Sequence, residues 1–323
     1  MRICLLTNQD LMADPFPSDD WPCDPRPFYP DADWEVEYLR TSTSVEQVTH
    51  RIQQRFDLYF NLCDGAADQK IPGIEVVQTL EAHGVPFTGA TSEFYEPTRE
   101  AMKLACRAEH IDTAAYVLAR CADDIERAAE TLRFPLFVKH YSSYSSVDLS
   151  RRSRACSPAG LRQQARKIMR RHGAALIEEF IEGSECTVLV AENPDDPSRP
   201  TTYTPIQYRF PAGDSFKHAN LKWVAYDQMS AFPIDDAILD ARLRDVSARF
   251  FVALKGASFG RCDLRVDRHG TPFMLEINPN CGVYYPAKDA GSADICLAHD
   301  PAGHAGFTRQ LIRAALARHG RGA

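Results

Sequence analysis

Short apolar runs separated by polar turns dominate the chain. Residues 2–6 and 57–62 are apolar runs of strand length. Over residues 73–83, Ile74, Val77 and Leu80 recur at the spacing of one helix face. Gly84 follows as a cap, and residues 85–89 predict a short strand and turn. These pieces predict a small α/β unit. Residues 13–30 are rich in Pro and Asp and predict a loop of a length usually kept for function.

A second series begins at Thr98, which caps a helix expected over 98–110. A strand is expected at 115–118, a helix at 123–132 and a strand at 134–139. Ser157-Pro158 opens a helix that runs to 171, and 174–180 predicts a strand ending in acidic residues. Further strands are expected at 187–191 and 202–208, a long helix at 235–254, and a last helix at 306–318.

The most informative segment lies between those two helices. Runs 258–267 and 271–280 flank Arg268-His269-Gly270, which predicts a β-hairpin. Side chains alternate faces along a strand. Arg261 and Asp263 therefore share one face, as do Glu276 and Asn278 on the return strand. The hairpin can bring Asp263, Glu276 and Asn278 together as hard oxygen ligands, with Arg261 beside them. Such ligands suit magnesium, which usually arrives with phosphates. Alternating charges more often mark a solvated face, and Arg265 and Asp267 are assigned to one. Glu276 and Asn278 interrupt the apolar residues Phe273, Met274, Leu275 and Ile277. A metal site and a structural accident both fit them.

Composition narrows the classes. At 323 residues the chain exceeds one ordinary core. With 44% hydrophobic and 25% charged residues it reads as an ordinary soluble protein, and a net charge of −7 argues against a nucleic-acid partner. Ten cysteines occur without a Cys-x-x-Cys pair, which fits reduced, buried thiols and a cytoplasmic location. No run approaches the ~18 apolar residues of a membrane helix, so no membrane partner is expected.

Two further motifs carry chemistry. Lys139 ends a strand and enters a hydroxyl-rich loop containing Ser145 and Ser146. A terminal lysine and a loop of N–H and O–H donors can hold phosphates, although serine-rich surface loops are common. Glu178-Glu179-Phe180-Ile181, with Glu185 beyond, can meet an adenine edge and ribose hydroxyls, or can be an acidic turn.

The order of these motifs resembles the ATP-grasp superfamily of carboxylate–amine ligases, and within it the D-alanine–D-alanine ligase group. The likeness spans Asn61 to Gly282 and includes Asn61-Leu-Cys-Asp-Gly65, Pro72-Gly-Ile-Glu75 and the Leu275-Glu-Ile-Asn278 return strand. It implies an α/β chain, α+β in its ATP-grasp part, in three units. These are an N-terminal Rossmann-like substrate domain (1–96), a central ATP-grasp subdomain (97–184) and a C-terminal subdomain with the metal hairpin (185–323). It implies ATP and two Mg2+ ions, with Mn2+ as a substitute, and small-molecule carboxylate and amine substrates. A homodimer is compatible with it.

Carried over, the likeness gives Lys139 the α/β-phosphates, Arg99 a phosphate contact, and Ser145 and Ser146 the covering loop. Adenine would lie against Glu178, Glu179, Phe180 and Ile181, and ribose on Glu185. Lys217 would reach the γ-phosphate. Arg261 would contact the transferring phosphoryl and acyl oxygens, Asp263, Glu276 and Asn278 the metal, and the Gly282 amide an oxyanion. The implied reaction joins a carboxylate to an amine through an acyl phosphate.

Several positions depart from the group. Arg99 replaces a lysine, and Asp148 stands where the loop has glycine. The group's glycine-rich first loop, with a Ser-x-Glu that orients the first D-alanine, has no counterpart in residues 7–16. Tyr284 and Tyr285 replace a Ser/Thr-rich stretch, either as walls for a larger substrate or as core. Asp64 and the acidic loop at 10–20 offer ammonium partners or solvated turns. A substrate pair other than D-alanine and D-alanine is therefore expected. A catalytically silent binding or regulatory protein, and a kinase or carboxylase of the same fold, are the alternatives.

Overall fold

The computed structural model of the chain describes residues 1–12, 22–66, 69–142, 148–218, 221 and 228–322. Strands β1 (Arg2–Thr7), β2 (Asp33–Tyr38) and β3 (Leu58–Asn61) form a parallel sheet in the order β2-β1-β3. Helices α1 (Ser44–Gln53) and α2 (Ile74–Ala82) accompany it. β1 and β3 are apolar because both their faces are covered. β2 and α1 escape the apolar pattern. β2 alternates acidic with apolar residues, and Val48 is the one apolar residue that α1 buries.

Helix α3 (Arg99–Ala108) starts at Thr98, whose hydroxyl accepts from the Ala101 amide at 3.1 Å. Strands β4 (Tyr116–Ala119), β5 (Leu136–His140), β6 (Arg154–Ala155) and β7 (Ala175–Glu179) then form an antiparallel sheet in the order β4-β7-β5-β6. Helices α4 (Ala122–Thr131) and α5 (Pro158–His172) pack on it. This sheet has its own core, built from Val117, Ile125, Leu136, Leu161, Ile168 and Ile177.

The third sheet is antiparallel. It contains β8 (Gly183–Ala191), β9 (Thr201–Thr202), β10 (Ile206–Arg209), β11 (Ser230–Pro233), β12 (Phe259–Asp267) and β13 (Pro272–Pro279), in the order β11-β10-β8-β12-β13 with β9 on β8. The single strand expected at 202–208 is two, because Pro205 lies between them and lacks the N–H a ladder needs. Helices α6 (Ala237–Ala253), α7 (Ser292–Ala298) and α8 (Gly303–Gly322) complete this part. Sequence periodicity did not reveal α7, a helix of 7 residues.

The first and third sheets share their cores. Val76, Leu80 and Phe94 pack with Phe250, Phe251 and Ile277. Ile3, Leu5 and Phe60 pack with Leu189, Phe259 and Phe307. Two side chains sew the join at left-handed positions. Ser258 (φ 57°) accepts from the Gly89 amide at 2.9 Å, and Asn280 (φ 51°) accepts from the Ala90 amide at 2.7 Å. All ten cysteines are free thiols, eight of them buried. Among the described residues no helix is long and apolar enough to cross a membrane.

Candidate active site

A cleft of about 740 Å³ opens between the central sheet and the joined pair, lined by residues of all three. β12 and β13 supply one wall. Arg261 pairs with Asn278 and Asp263 with Glu276, and the register shifts just beyond, leaving Leu275 as the extra residue of a bulge. Asp263 accepts from Arg261 Nη2 at 2.8 Å, Thr187 Oγ1 at 2.7 Å and Asn278 Nδ2 at 3.1 Å. Burial acts to raise the Asp263 carboxyl, but Arg261 outweighs it and holds it below the usual range.

Glu276 pairs with Arg99, the first residue of α3. Burial works against its charge too, yet Arg99 and Lys139 keep the carboxyl low. Asp263 and Glu276 are cross-strand partners and Asn278 adjoins Asp263; two carboxylates and an amide oxygen are a set that suits magnesium. Among the described residues no three His, Cys, Asp or Glu side chains are grouped to hold a metal.

The second wall comes from the central sheet. Lys139 Nζ lies 2.5 Å from Glu178 Oε2, and Lys103 Nζ lies 2.5 Å from Oε1. All three side chains are buried. Burial alone would raise Glu178, but the two ammonium groups win and set it at about 2. The Glu178 carboxylate is thus engaged by two lysines. Lys103 also donates to Thr113 Oγ1 at 2.8 Å. Sequence reading missed Lys103, although it lies four residues after Arg99, on the same helix face.

Phe137, Phe180 and Phe216 line the cleft between these walls. Their ring centroids lie 5.0 Å (Phe137–Phe216) and 5.9 Å (Phe137–Phe180) apart. Glu179 and Ile181 line it as well, with Glu179 held by Arg133 at 2.7 Å. Glu185 accepts from Arg265 at 3.3 Å and from the Lys217 amide at 3.4 Å. Lys217 Nζ lies 3.6 Å from the centre of the Tyr208 ring and donates to Ser292 Oγ at 3.3 Å. Ser145 and Ser146 lie outside the described residues. Asp148 takes a left-handed φ of 56°, the conformation glycine adopts freely, and its carboxylate pairs with Arg171 and His172 of α5.

Arg265 corrects the sequence expectation. It is 3% exposed and lies in no solvated face. Its guanidinium donates to the carbonyls of Ile181 (2.5 Å), Ser215 (2.9 Å) and Gly183 (2.8 Å) as well as to Glu185. Alternation sets the face of a strand residue but not what covers that face. Replacing Arg265 with Met should cost about 3–5 kcal/mol in urea unfolding, because Glu185 and the carbonyls of Ile181, Ser215 and Gly183 would all lose a buried charged partner. A loss below ~1 kcal/mol would show that the network is slack.

Gly282, Asn8, Gln9, Asp64, Cys23 and Tyr285 line the cleft as well. The two tyrosines divide. Tyr284 is core: it is 3% exposed and its hydroxyl bonds Thr308 Oγ1 at 3.0 Å. Tyr285 faces the cleft. Gln9 accepts from the Cys23 amide at 2.9 Å, and residues 13–20 of the acidic loop lie outside the described residues.

The three sheets and the cleft they enclose have the architecture of an ATP-grasp protein. The family model described as "D-ala D-ala ligase C-terminus" matches residues 109–285, more than half of the chain, and the chain belongs to this family. It is an ATP-dependent, ADP-forming carboxylate–amine ligase of that type. The D-alanine–D-alanine ligase of Xanthomonas axonopodis pv. citri is 29% identical over 238 residues, covering 72% of this chain and 71% of the relative. An uncharacterized protein of Sinorhizobium fredii, y4sG, is 29% identical over 235 residues, covering 70% of this chain and 66% of its own. The D-alanine–D-alanine ligase of Bacillus anthracis, solved with ATP, shares the fold with a TM-score of 0.68 at 16% identity, over 100% of both chains.

Proposed function

We propose that this ligase joins the carboxylate of an amino acid or peptide to an amine, and that the pair is not D-alanine with D-alanine. ATP would lie in the cleft described above. Lys139 and Arg99 would take its phosphates, the aromatic slot and the 178–181 segment its adenine, and Glu185 its ribose. Lys217 would reach the γ-phosphate. Asp263, Glu276 and Asn278 would hold up to two magnesium ions, which supply charge neutralisation for the transferring phosphoryl. Arg261 would stabilise oxygen charge in both halves of the reaction, and the Gly282 amide in the second. We take residues 1–96, 97–184 and 185–323 as the three working units.

One observation carries the nucleotide part: Arg99, Lys139, Lys217, Arg261 and the three metal candidates line one cleft. The substrate part rests on other residues of that lining. Asn8 and Gln9 stand there in a first loop without the Ser-x-Glu, and Tyr285 stands beside Gly282. A screen of carboxylates and amines in pairs, with ADP release as the signal, tests both. ADP should appear only when acid and amine are both present. With D-alanine alone, dipeptide should form slowly at best. Rapid dipeptide formation saturating at millimolar D-alanine would overturn the substrate assignment and leave the ligase assignment standing.

A further inference from the structure

Ligation needs charge stabilisation at the acyl oxygen, and Arg261 and the Gly282 amide are two donors for it. The loop after Gly282 presents a third polar group. The Tyr285 ring lies directly against Gly282. A Cβ at Gly282 would sit 2.1 Å from the phenol oxygen and 2.7 Å from Cζ. On another side the ring meets Gly291, where a Cβ would sit 3.0 Å from Cδ2 and Cε2. A side chain at Gly282 would displace the phenol, and one at Gly291 would press on the ring. The two glycines form the slot that it fills.

The loop that carries this ring is tied down at several points. The buried Asp294 carboxylate accepts from the Tyr284 amide at 2.7 Å and from the Gly291 amide at 3.1 Å, and His304 holds it at 2.8 Å. The Asp24 amide donates to the Tyr284 carbonyl at 3.2 Å. The Cys23 thiol lies beside the Tyr285 hydroxyl. The hydroxyl is thus fixed beside Gly282 in the cleft, which Arg261 also lines. Fixed donors aimed where charge develops are the main source of stabilisation in acyl transfer.

We propose that the Tyr285 hydroxyl is a further hydrogen-bond donor to the acyl oxygen during ligation, acting beside the Gly282 amide and Arg261. The assignment rests on the ligase function proposed for this cleft. In that step the amine nitrogen attacks the acyl carbon, the C–N bond forms, and the carbonyl electron pair moves onto oxygen. The oxyanion pair then re-forms the carbonyl, the C–O bond to phosphate breaks, inorganic phosphate leaves with the electron pair of that bond, and the amine releases a proton to solvent. Tyr285 keeps its own proton throughout. Burial pushes this phenol well above its ordinary range, and the nearby Cys23, Asp64 and Asp294 push the same way, so it serves as a donor and not as a base. A thiol is a weak acceptor and an oxyanion a strong one, so Cys23 competes little with the developing charge for this donor.

Tyr285→Phe keeps the ring in its slot and removes only the hydroxyl. Two probes separate the half-reactions. Isotope scrambling in oxygen-labelled ATP, with a mixture of N-acetylated L- and D-amino acids, which carry no free amine, reports reversible acyl-phosphate formation. Hydroxamate formation from the same mixture with added hydroxylamine reports the complete reaction. The variant should scramble isotope at the wild-type rate and form hydroxamate about 10²-fold more slowly. Unchanged hydroxamate formation, or an equal fall in both rates, would overturn the role of Tyr285 while leaving the ligase function in place. Absence of both signals in the wild type would overturn the ligase function, and the role of Tyr285 with it.

Discussion

Glu276→Gln should abolish turnover and leave the fold intact. Glu276 sits opposite Asp263 across the hairpin, next to the bulge that turns Leu275 out of register. Its carboxylate is one of two in the proposed metal set, and the substitution keeps its shape while removing its charge. Magnesium binding to phosphates depends on such charges, because the ion gives up water reluctantly and needs a strong oxygen ligand in return. Charge stabilisation by a metal is worth several kcal/mol at the transition state, so the expected fall in kcat is about 10³-fold or more. The structural cost is smaller. Arg99 loses one ionic partner but keeps an acceptor, because the Gln side-chain oxygen stands where the carboxylate oxygen was. ADP release and a thermal melt measure the two effects separately. A folded variant with near-normal turnover would remove Glu276 from the metal set.

The hairpin was legible in sequence because three independent signals agree there. Two runs of strand length flank a turn, polar residues recur at a period of two, and those polar residues break an apolar run. Caps were equally plain: Thr98 and Ser157 stand where their hydroxyls accept from Ala101 and Gly160. What sequence did not disclose is what each face meets. Arg265 alternates correctly with Arg261 and Asp263, yet three carbonyls and Glu185 cover it. Lys103 looks like any helix lysine until β7 brings Glu178 to it. Tyr284 and Tyr285 are neighbours of one kind, and only the fold sends one to the core and the other to the cleft. Such assignments depend on contacts distant in the chain, which local pattern does not encode.

Lys139→Ala should weaken MgATP binding by about 30- to 150-fold, the equivalent of about 2–3 kcal/mol for a contact to a charged group. Lys139 lies at the end of β5, buried, with its ammonium 2.5 Å from Glu178. It also lines the cleft. The fold should survive its removal, since Lys103 still pairs with Glu178 from the other side. The pH dependence of binding carries the same prediction with a definite sign. Burial lowers the Lys139 ammonium from the ordinary lysine range, and Glu178 and Glu276 only partly oppose it. The proton is therefore lost at lower pH than from an exposed lysine. Because the protonated form makes the phosphate contact, affinity for MgATP should fall as pH rises through that lowered value. The Ala variant should lack this fall, having no ammonium to titrate. Calorimetry over a pH series checks both parts. An affinity equal to the wild type at neutral pH, with the alkaline fall retained, would return Lys139 to a purely structural role as the partner of Glu178.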